Sequence, residues 1–394
     1  NNGISWIDLS DGLSIGQIYK FSNSATDPNL IISGWQDNGT NLYASGQWGR
    51  VIGGDGMDCL IDYSNSSIMY GSIYYGTLYR STNGGNNWTT ISDGISETGA
   101  WVTPFIIDPV NPAVLYAGYT NVWKTTNRGN SWTKISDTGS SGKVSTMAIS
   151  ESNPNYIYIA SGFSMNRTTD GGNTWELLTS SLPNNLTITG IAVHPENPEC
   201  IWITQSGYTE GQKVYISTNA GDSWENISDN LPNLPANCIV FQKGSEGGLY
   251  LGMDAGVFYT DSTLNGWHYY ASGLPNTVVN QLEIQYSVGK IRAATYGRGV
   301  WEAPLWNPVY ASLSAFKDGN GLQIFPNPSN GSFHILIPQT YLGKNIDVYD
   351  MKGQLVHTEA ITDGRQQMSL QHLPSGLFLV RVDNLLRKIS IIPE

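Results

Sequence analysis

Cationic side chains are scarce in this chain. Its 20 Lys and Arg face 32 Asp and Glu, a formal net charge of −12 that gives nucleic acid and anionic membrane no matching surface. The tail from residue 306 onward holds 7 acids and 7 bases, so the whole excess belongs to the first 305 residues. Such an acidic surface is compatible with neutral glycans, cations or basic proteins. Cysteine occurs three times, as Cys59, Cys200 and Cys238. Each lies in an apolar strand-like run, and the odd, scattered set predicts buried free thiols in place of a disulfide framework. No Cys/His spacing reads as a metal site, and His194 and His268 stand isolated without general-base context. No apolar run approaches the length of a membrane-spanning helix. The start at Asn1-Asn2-Gly3 shows no signal peptide and no Met, which predicts a mature form or a fragment of a longer precursor. Few Lys and Arg with abundant Ser, Thr, Asn, Gly, Tyr and Trp is the composition expected of an exported β protein.

What the chain has is a repeated phrase. It reads Ser81-Thr-Asn-Gly-Gly-Asn-Asn-Trp88, Thr125-Thr-Asn-Arg-Gly-Asn-Ser-Trp132, Thr168-Thr-Asp-Gly-Gly-Asn-Thr-Trp175 and Ser217-Thr-Asn-Ala-Gly-Asp-Ser-Trp224. The Asx residue of each copy (Asn83, Asn127, Asp170, Asn219) can accept from turn amides, Gly supplies a left-handed angle, and the Trp opens the returning strand. These Trp residues lie 44, 43 and 49 apart, and the series extends in weaker form to Trp267, Trp48 and Trp6. Polar Pro/Asn turns such as Asp108-Pro-Val-Asn-Pro112 run in phase, each ahead of an apolar strand. Seven units of about four short strands predict a seven-bladed β-propeller over residues 1–305. The segment Ser5-Trp-Ile-Asp-Leu-Ser10 reads as an orphan fourth strand that closes the last blade and removes both sheet edges.

The phrase resembles the Asp-box (BNR) repeat of sialidase-like, sortilin-like and glycoside hydrolase family 74 propellers. In those families the boxes are structural turns, so the resemblance implies fold and not activity.

After a linker at 306–320 a different pattern occupies 321–394. Its alternating segments, separated by Asn-Pro, Lys-Gly and Ser-Gly turns, predict a small immunoglobulin-like β-sandwich, making the whole chain all-β. Its landmarks are Pro326-Asn327-Pro328 with Gly331, then Tyr349-Asp350 with Gly353, then Gly376, Arg381 and Lys388. In this order they resemble the C-terminal sorting domain, type A, of type IX secretion cargo of Bacteroidota. The resemblance implies export through a type IX translocon, engagement by a shuttle protein and a sortase, and delivery to the extracellular medium or the outer-membrane surface. The terminal Arg387-Lys-Ile-Ser-Ile-Ile392 strand is the kind of edge a shuttle could engage.

Propeller topology puts the Asp-box turns on one face and the strand two–three and four–one loops on the other, where sialidase-like propellers keep their sites. That second face should carry Gln36-Asp-Asn-Gly39, Tyr74, Tyr75, Tyr119, Tyr208, Asp254, Tyr296 and Arg298, and also Gly53-Gly-Asp-Gly-Met-Asp58. Aromatic rings stack on sugar faces and acids accept from hydroxyls, so this set reads as a glycan- or protein-binding mouth; packing between blades is the competing reading. Asp37 lies in Leu30-Ile-Ile-Ser-Gly-Trp-Gln-Asp-Asn-Gly39, which resembles the strand end carrying a catalytic carboxylate in family 74 endoglucanases. Glycoside hydrolysis needs two carboxyl groups, and Asp55 is the nearby substitute for a partner this chain lacks, though Gly53-Gly-Asp-Gly56 is equally a turn with a capping Asp. Asp55 and Asp58 also offer hard oxygen ligands to Ca²⁺, but two acids fall short of six to eight ligands, so no cofactor is expected. A sialidase needs an arginine triad. Of the six propeller arginines Arg80, Arg128 and Arg167 sit in or beside the boxes on the wrong face, which leaves Arg50, Arg292 and Arg298 without a supporting pattern. The expectation is an exported, non-catalytic glycan- or protein-binding, adhesion or scaffold module. The alternatives are a family 74-like endo-β-glucanase and one propeller of a larger structural assembly.

Overall fold

The computed structural model describes residues 15–137, 142–178, 181–182, 186–306, 322–325, 329–337, 341–350, 353–383 and 385–391. The segment 5–10, read above as a closing strand, and Pro326-Asn327-Pro328 lie outside the described residues. The chain divides into two compact units, Asn1–Ser314 and Ala315–Glu394. Neither contains an α-helix among the described residues, and no helix is long and apolar enough to cross a membrane.

Among the described residues the first unit holds seven antiparallel sheets, six of four strands and one of three. Their first strands are Ile18–Asn23, Gly56–Ile61, Phe105–Ile107, Thr146–Ile149, Ile188–Val193, Ala236–Phe241 and Val279–Gln285. Each touches the first strand of the next sheet, and the seventh returns to the first, so the sheets follow one another round a closed circuit. Apolar clusters fill the seams. Between the second and third sheets, for example, Tyr70, Leu78 and Ile91 meet Phe105, Leu115 and Trp123.

The repeated phrase lies between third and fourth strands, as its turn chemistry predicts: Thr77–Ser81 precedes the first copy and Thr89–Thr90 follows it. Ser81 Oγ accepts from Gly85 N (2.9 Å) and Asn83 Oδ1 from Asn87 N (2.9 Å), and the other copies repeat both bonds. The fifth-position glycine does more than turn. At Gly129 (φ +87) a Cβ would lie 2.7 Å from Ile91 Cδ1 of the preceding sheet, and Gly172 meets Ile135 in the same way. The indole then ties the sheets together: Trp132 Nε1 donates to Ile91 O (2.6 Å), Trp175 to Ile135 O (2.7 Å) and Trp267 to Ile227 O (2.7 Å). Cys59 and Cys238 are buried free thiols and Cys200 is half-buried and free.

The seventh sheet meets the first by another means. Asn280 Nδ2 donates to Ile18 O (2.7 Å), Gln281 Oε1 accepts from Phe21 N (2.8 Å), Glu283 Oε2 accepts from Asn23 N (2.8 Å) and Gln285 Nε2 donates to Ser24 O (2.7 Å). Arg292, buried beside Glu302, donates to Asn23 Oδ1 (2.7 Å) and Pro28 O (2.6 Å). A row of long polar side chains thus stands where two strands would otherwise pair.

The second unit contains a three-stranded and a four-stranded sheet around one core of Phe333, Ile335, Val348, Met368, Val380 and Ile389. The Tyr349-Asp350 landmark ends the strand Asn345–Asp350, and Gly353 N donates to Asp350 O (3.0 Å) to close the hairpin. Arg381 packs 4.9 Å over the Tyr349 ring and pairs with Asp347 at 3.3 Å. The strand Leu385–Ile391, which carries Lys388, is the outer member of its sheet.

Candidate functional site

The strand two–three turns of sheets one, two, three, five, six and seven hold Asp37, Tyr74 and Tyr75, Tyr119, Tyr208, Asp254, and Tyr296 with Arg298. The structure separates these residues by role. Tyr74 and Tyr75 are 39% and 49% exposed, and Tyr208 is 69% exposed. Tyr119 is not a surface residue. It is 1% exposed, its hydroxyl donates to Gly76 O, and it fills the space a Cβ on Gly76 (φ +90) would take, 2.5 Å from its ring. The tyrosine is packing between the second and third sheets, because the glycine beneath it leaves a ring-sized gap. Asp254 is half-buried and accepts from Asn237 Nδ2 at 3.0 Å.

Trp101 gathers the aromatic residues. It lies in the loop between the second and third sheets, 39% exposed, with its indole stacked on Tyr74 (5.6 Å, 11°) and edge-on to Tyr75 (5.3 Å). Two backbone bonds join the loop to the turn: Gly99 N donates to Tyr75 O (3.0 Å) and Tyr75 N to Trp101 O (3.4 Å). They hold Tyr75 at φ +63, a left-handed conformation that costs a bulky residue energy and persists only where its surroundings impose it. Lys143 Nζ sits 5.5 Å from the Tyr75 ring centre. The result is a preorganised aromatic shelf.

A hydrogen-bonded group adjoins the shelf. Trp101 Nε1 donates to Tyr19 Oη (2.9 Å), Tyr19 and Tyr296 both donate to Gln36 Oε1, the latter at 3.2 Å, and the two Tyr rings lie 5.6 Å apart. Burial pushes the Tyr19 hydroxyl up to about 12, so it remains a donor across the physiological range. Residues 36 and 296 are about 260 apart in the chain and meet because the circuit closes between the first and seventh sheets.

The two candidate carboxylates also come together. Asp55 Oδ1 accepts from the backbone N of Asp37 at 2.6 Å, and Asp37, exposed, holds φ +59. Asp55 thereby caps the Asp37 turn, with one oxygen spent on it. Asp58 does not join it in a surface cation site. It is buried in the seam, its carboxylate oxygens accepting from Cys59 N (2.9 Å) and Phe105 N (3.4 Å), and burial pushes the group up to about 6. Among the described residues no group of three or more His, Cys, Asp and Glu could hold a metal ion. The arginines of the box face link neighbouring sheets: Arg80 donates to Arg128 O (2.6 Å), Arg128 pairs with Asp62 (3.2 Å) and Arg167 with Asp222 (2.7 Å).

Comparison with known proteins follows this division into two units. Residues 323–391 match the family described as secretion system C-terminal sorting domain, and residues 120–244 match that described as sortilin, neurotensin receptor 3. The tail is a type IX sorting domain. It implies export and interaction with the secretion machinery. Residues 120–244, within the sheets that precede it, form an Asp-box-like, sortilin-like domain. A xyloglucanase of Hypocrea jecorina is 26% identical over 289 residues, covering 59% of this chain and 33% of the relative. The GH74 xyloglucanase of Xanthomonas campestris superposes with TM-score 0.61 at 12% identity, over 96% of this chain and 66% of that one. YCF48 from Cyanidioschyzon merolae gives 0.56 at 12% identity, over 74% of this chain and 95% of its own. These likenesses establish a propeller-like fold. This chain spans about a third of its curated relative.

The sequence pattern put Gln36 among the residues of this face but missed Trp101 and Tyr19. A signal for Trp101 was there: it is a tryptophan out of phase with the box series, in a loop with no box of its own.

Proposed function

We propose that this protein is an exported seven-bladed propeller that binds glycan on the face opposite its Asp-box turns, followed by an immunoglobulin-like sorting sandwich. The translocon, a shuttle protein and a sortase of a Bacteroidota outer membrane are its export partners. The observation that carries the binding reading is the shelf. Tyr74, Tyr75 and Trp101 are exposed, Trp101 stacks on Tyr74 and meets Tyr75 edge-on, and the group is locked to a strained turn of the kind that clusters at ligand sites. Sugar faces are the chemistry such rings accept. The acidic surface excludes polyanions, and the xyloglucanase named among the relatives acts on a polysaccharide by its name.

Glycoside hydrolysis is the second reading, favoured by the juxtaposition of Asp37 and Asp55 and by the same relatives. Binding is preferred over it because Asp55 is engaged as a turn cap. The test is binding and product release by the full chain on a panel of β-linked polysaccharides, beside Trp101→Ala and Asp37→Asn. Binding lost in Trp101→Ala, retained in Asp37→Asn and without product supports the proposal. Product that disappears in Asp37→Asn makes the protein a hydrolase. Absence of binding to every glycan overturns both readings and leaves a protein-binding adhesion or scaffold role.

A further inference from the structure

Five of the seven first strands slip register near their start: in Gly56–Ile61 the slip falls between Gly56 and Cys59, at the buried Met57 and Asp58, and the other four share one position. In those four the register slips between Ile18 and Lys20, between Ile188 and Gly190, between Ala236 and Cys238, and between Val279 and Gln281. A bulge leaves its extra residue outside the ladder and re-aims the side chain. The extra residues are Tyr19, Thr189, Asn237 and Asn280, and all four line one cavity of about 380 Å³. Four strands far apart in the chain thus make the same irregularity and deliver their side chains to one place. It adjoins the aromatic shelf, since Tyr19 belongs to both.

The polar atoms there are unevenly used. Thr189 Oγ1 donates to Ala236 O (2.6 Å), Asn237 Nδ2 to Asp254 (3.0 Å), Asn280 Nδ2 to Ile18 O (2.7 Å) and Ser145 Oγ, also lining the cavity, to Ala160 O (3.2 Å). The Thr189 and Ser145 hydroxyl protons and one Nδ2 proton of each Asn point into the wall, and Thr189 Oγ1 also meets Thr204 Oγ1 at 2.8 Å, so acceptor oxygens and one N–H of each Asn remain toward the cavity. Lys20 is the single charged side chain lining it, half-buried, and among the described residues it has no ion-pair or hydrogen-bond partner. Asp58 and Glu283 lie within reach of its field without forming an ion pair with it, and burial pushes both carboxyls up, to about 6 and about 8, which weakens the negative charge they set against it. A partly desolvated ammonium with three unfilled donors favours an anion. A ring of acceptor oxygens favours hydroxyl donors around that anion.

We propose that this cavity is a second binding site that takes the carboxylate of a uronic acid residue ending a glycan held on the Tyr74–Trp101 shelf. Lys20 is its counter-charge, and the oxygens of Thr189, Asn237 and Asn280 accept from the sugar hydroxyls. The inference rests on the glycan-binding reading and adds the acidic terminus to it.

The experiment titrates the full chain calorimetrically with two probes, a β-1,4-linked glucose tetramer and the same tetramer ending in glucuronate. The expected result is at least tenfold tighter binding of the uronate. That advantage should vanish in Lys20→Met, persist in Lys20→Arg, and leave the neutral tetramer unaffected. Ser145→Asp, which adds a carboxylate at the mouth without removing Lys20, should also abolish it. Equal affinity of the two probes for the natural protein, with binding lost in Trp101→Ala, overturns this inference and leaves the shelf reading intact. So does an advantage that survives Lys20→Met. Binding of neither probe overturns both. Lys20-dependent binding of a peptide with a free C-terminal carboxylate, lost on amidation and absent for the uronate, would replace the sugar with a peptide.

Discussion

The seam between the sixth and seventh sheets is apolar, with ten buried residues that include Tyr250, Val257, Tyr259, Leu282 and Ile291. The seam between the seventh and first sheets has four among the described residues, Ile18, Phe21, Ile31 and Ala294, and relies on the side-chain bonds of Asn280, Gln281, Glu283 and Gln285. The difference follows from chain connectivity. Sheets six and seven are joined by a short loop, so non-directional burial is enough to pack them. Sheets seven and one are brought together across some 260 residues, where closure entropy is largest and nothing covalent sets the register. Directional bonds to successive amides and carbonyls supply that register, which burial alone would leave free to slip.

The comparison is broken most severely in an ordinary apolar seam. Trp267, 3% exposed, packs between the fifth and sixth sheets, and Trp267→Ala should cost about 3–5 kcal/mol, read as a lower urea midpoint. At the closing seam, Gln281→Ala leaves the Phe21 amide without its acceptor and should cost about 1–3 kcal/mol. Hydrogen exchange should then quicken first at Phe21 and Asn23. Uniform loss of protection across all seven sheets would show that the closing seam has no separate identity.

A pH series sharpens the same point. Burial pushes the Glu283 carboxyl from 4.5 up to about 8, so the folded state holds a proton there that the unfolded state has released. Its favourable contribution is full below about pH 4.5 and is lost as pH rises through about 8. Glu283→Gln keeps an acceptor for Asn23 N and removes the titration. The urea midpoint of this variant should fall less between pH 5 and 9 than that of the natural protein; parallel curves would place the pH dependence elsewhere. The smallest effect is expected in the tail. Arg381→Ala removes an exposed pair with Asp347 and a contact with Tyr349, worth less than about 1 kcal/mol by denaturation of the full chain.

Much of this was legible in the residues. The box turns, their bonds and the position of the Trp follow from local chemistry: Asn83 and Asp170 accept from amides and hydroxyls of their own turn, and a tight reversal needs its left-handed glycine. The landmark Tyr349-Asp350-x-x-Gly353 is readable for the same reason. The candidate site was legible in part. Tyr74 and Tyr75 were read into an exposed strand two–three turn, where they lie, whereas Tyr119, at the corresponding turn, proved to be core. Its burial depends on Gly76 of the neighbouring sheet, a contact that no single-segment pattern contains.

The sequence by itself determined the repeat, the class of fold and the export tail, because each rests on short local motifs and their order along the chain. Only the tertiary structure decided that Trp101 stacks on Tyr74, that Gln36 receives both Tyr19 and Tyr296, and that four bulged residues share one cavity with an unpaired Lys20. Those meetings join residues up to 260 positions apart. They exist because the circuit of sheets closes, and closure is a property of the whole chain that no local pattern encodes.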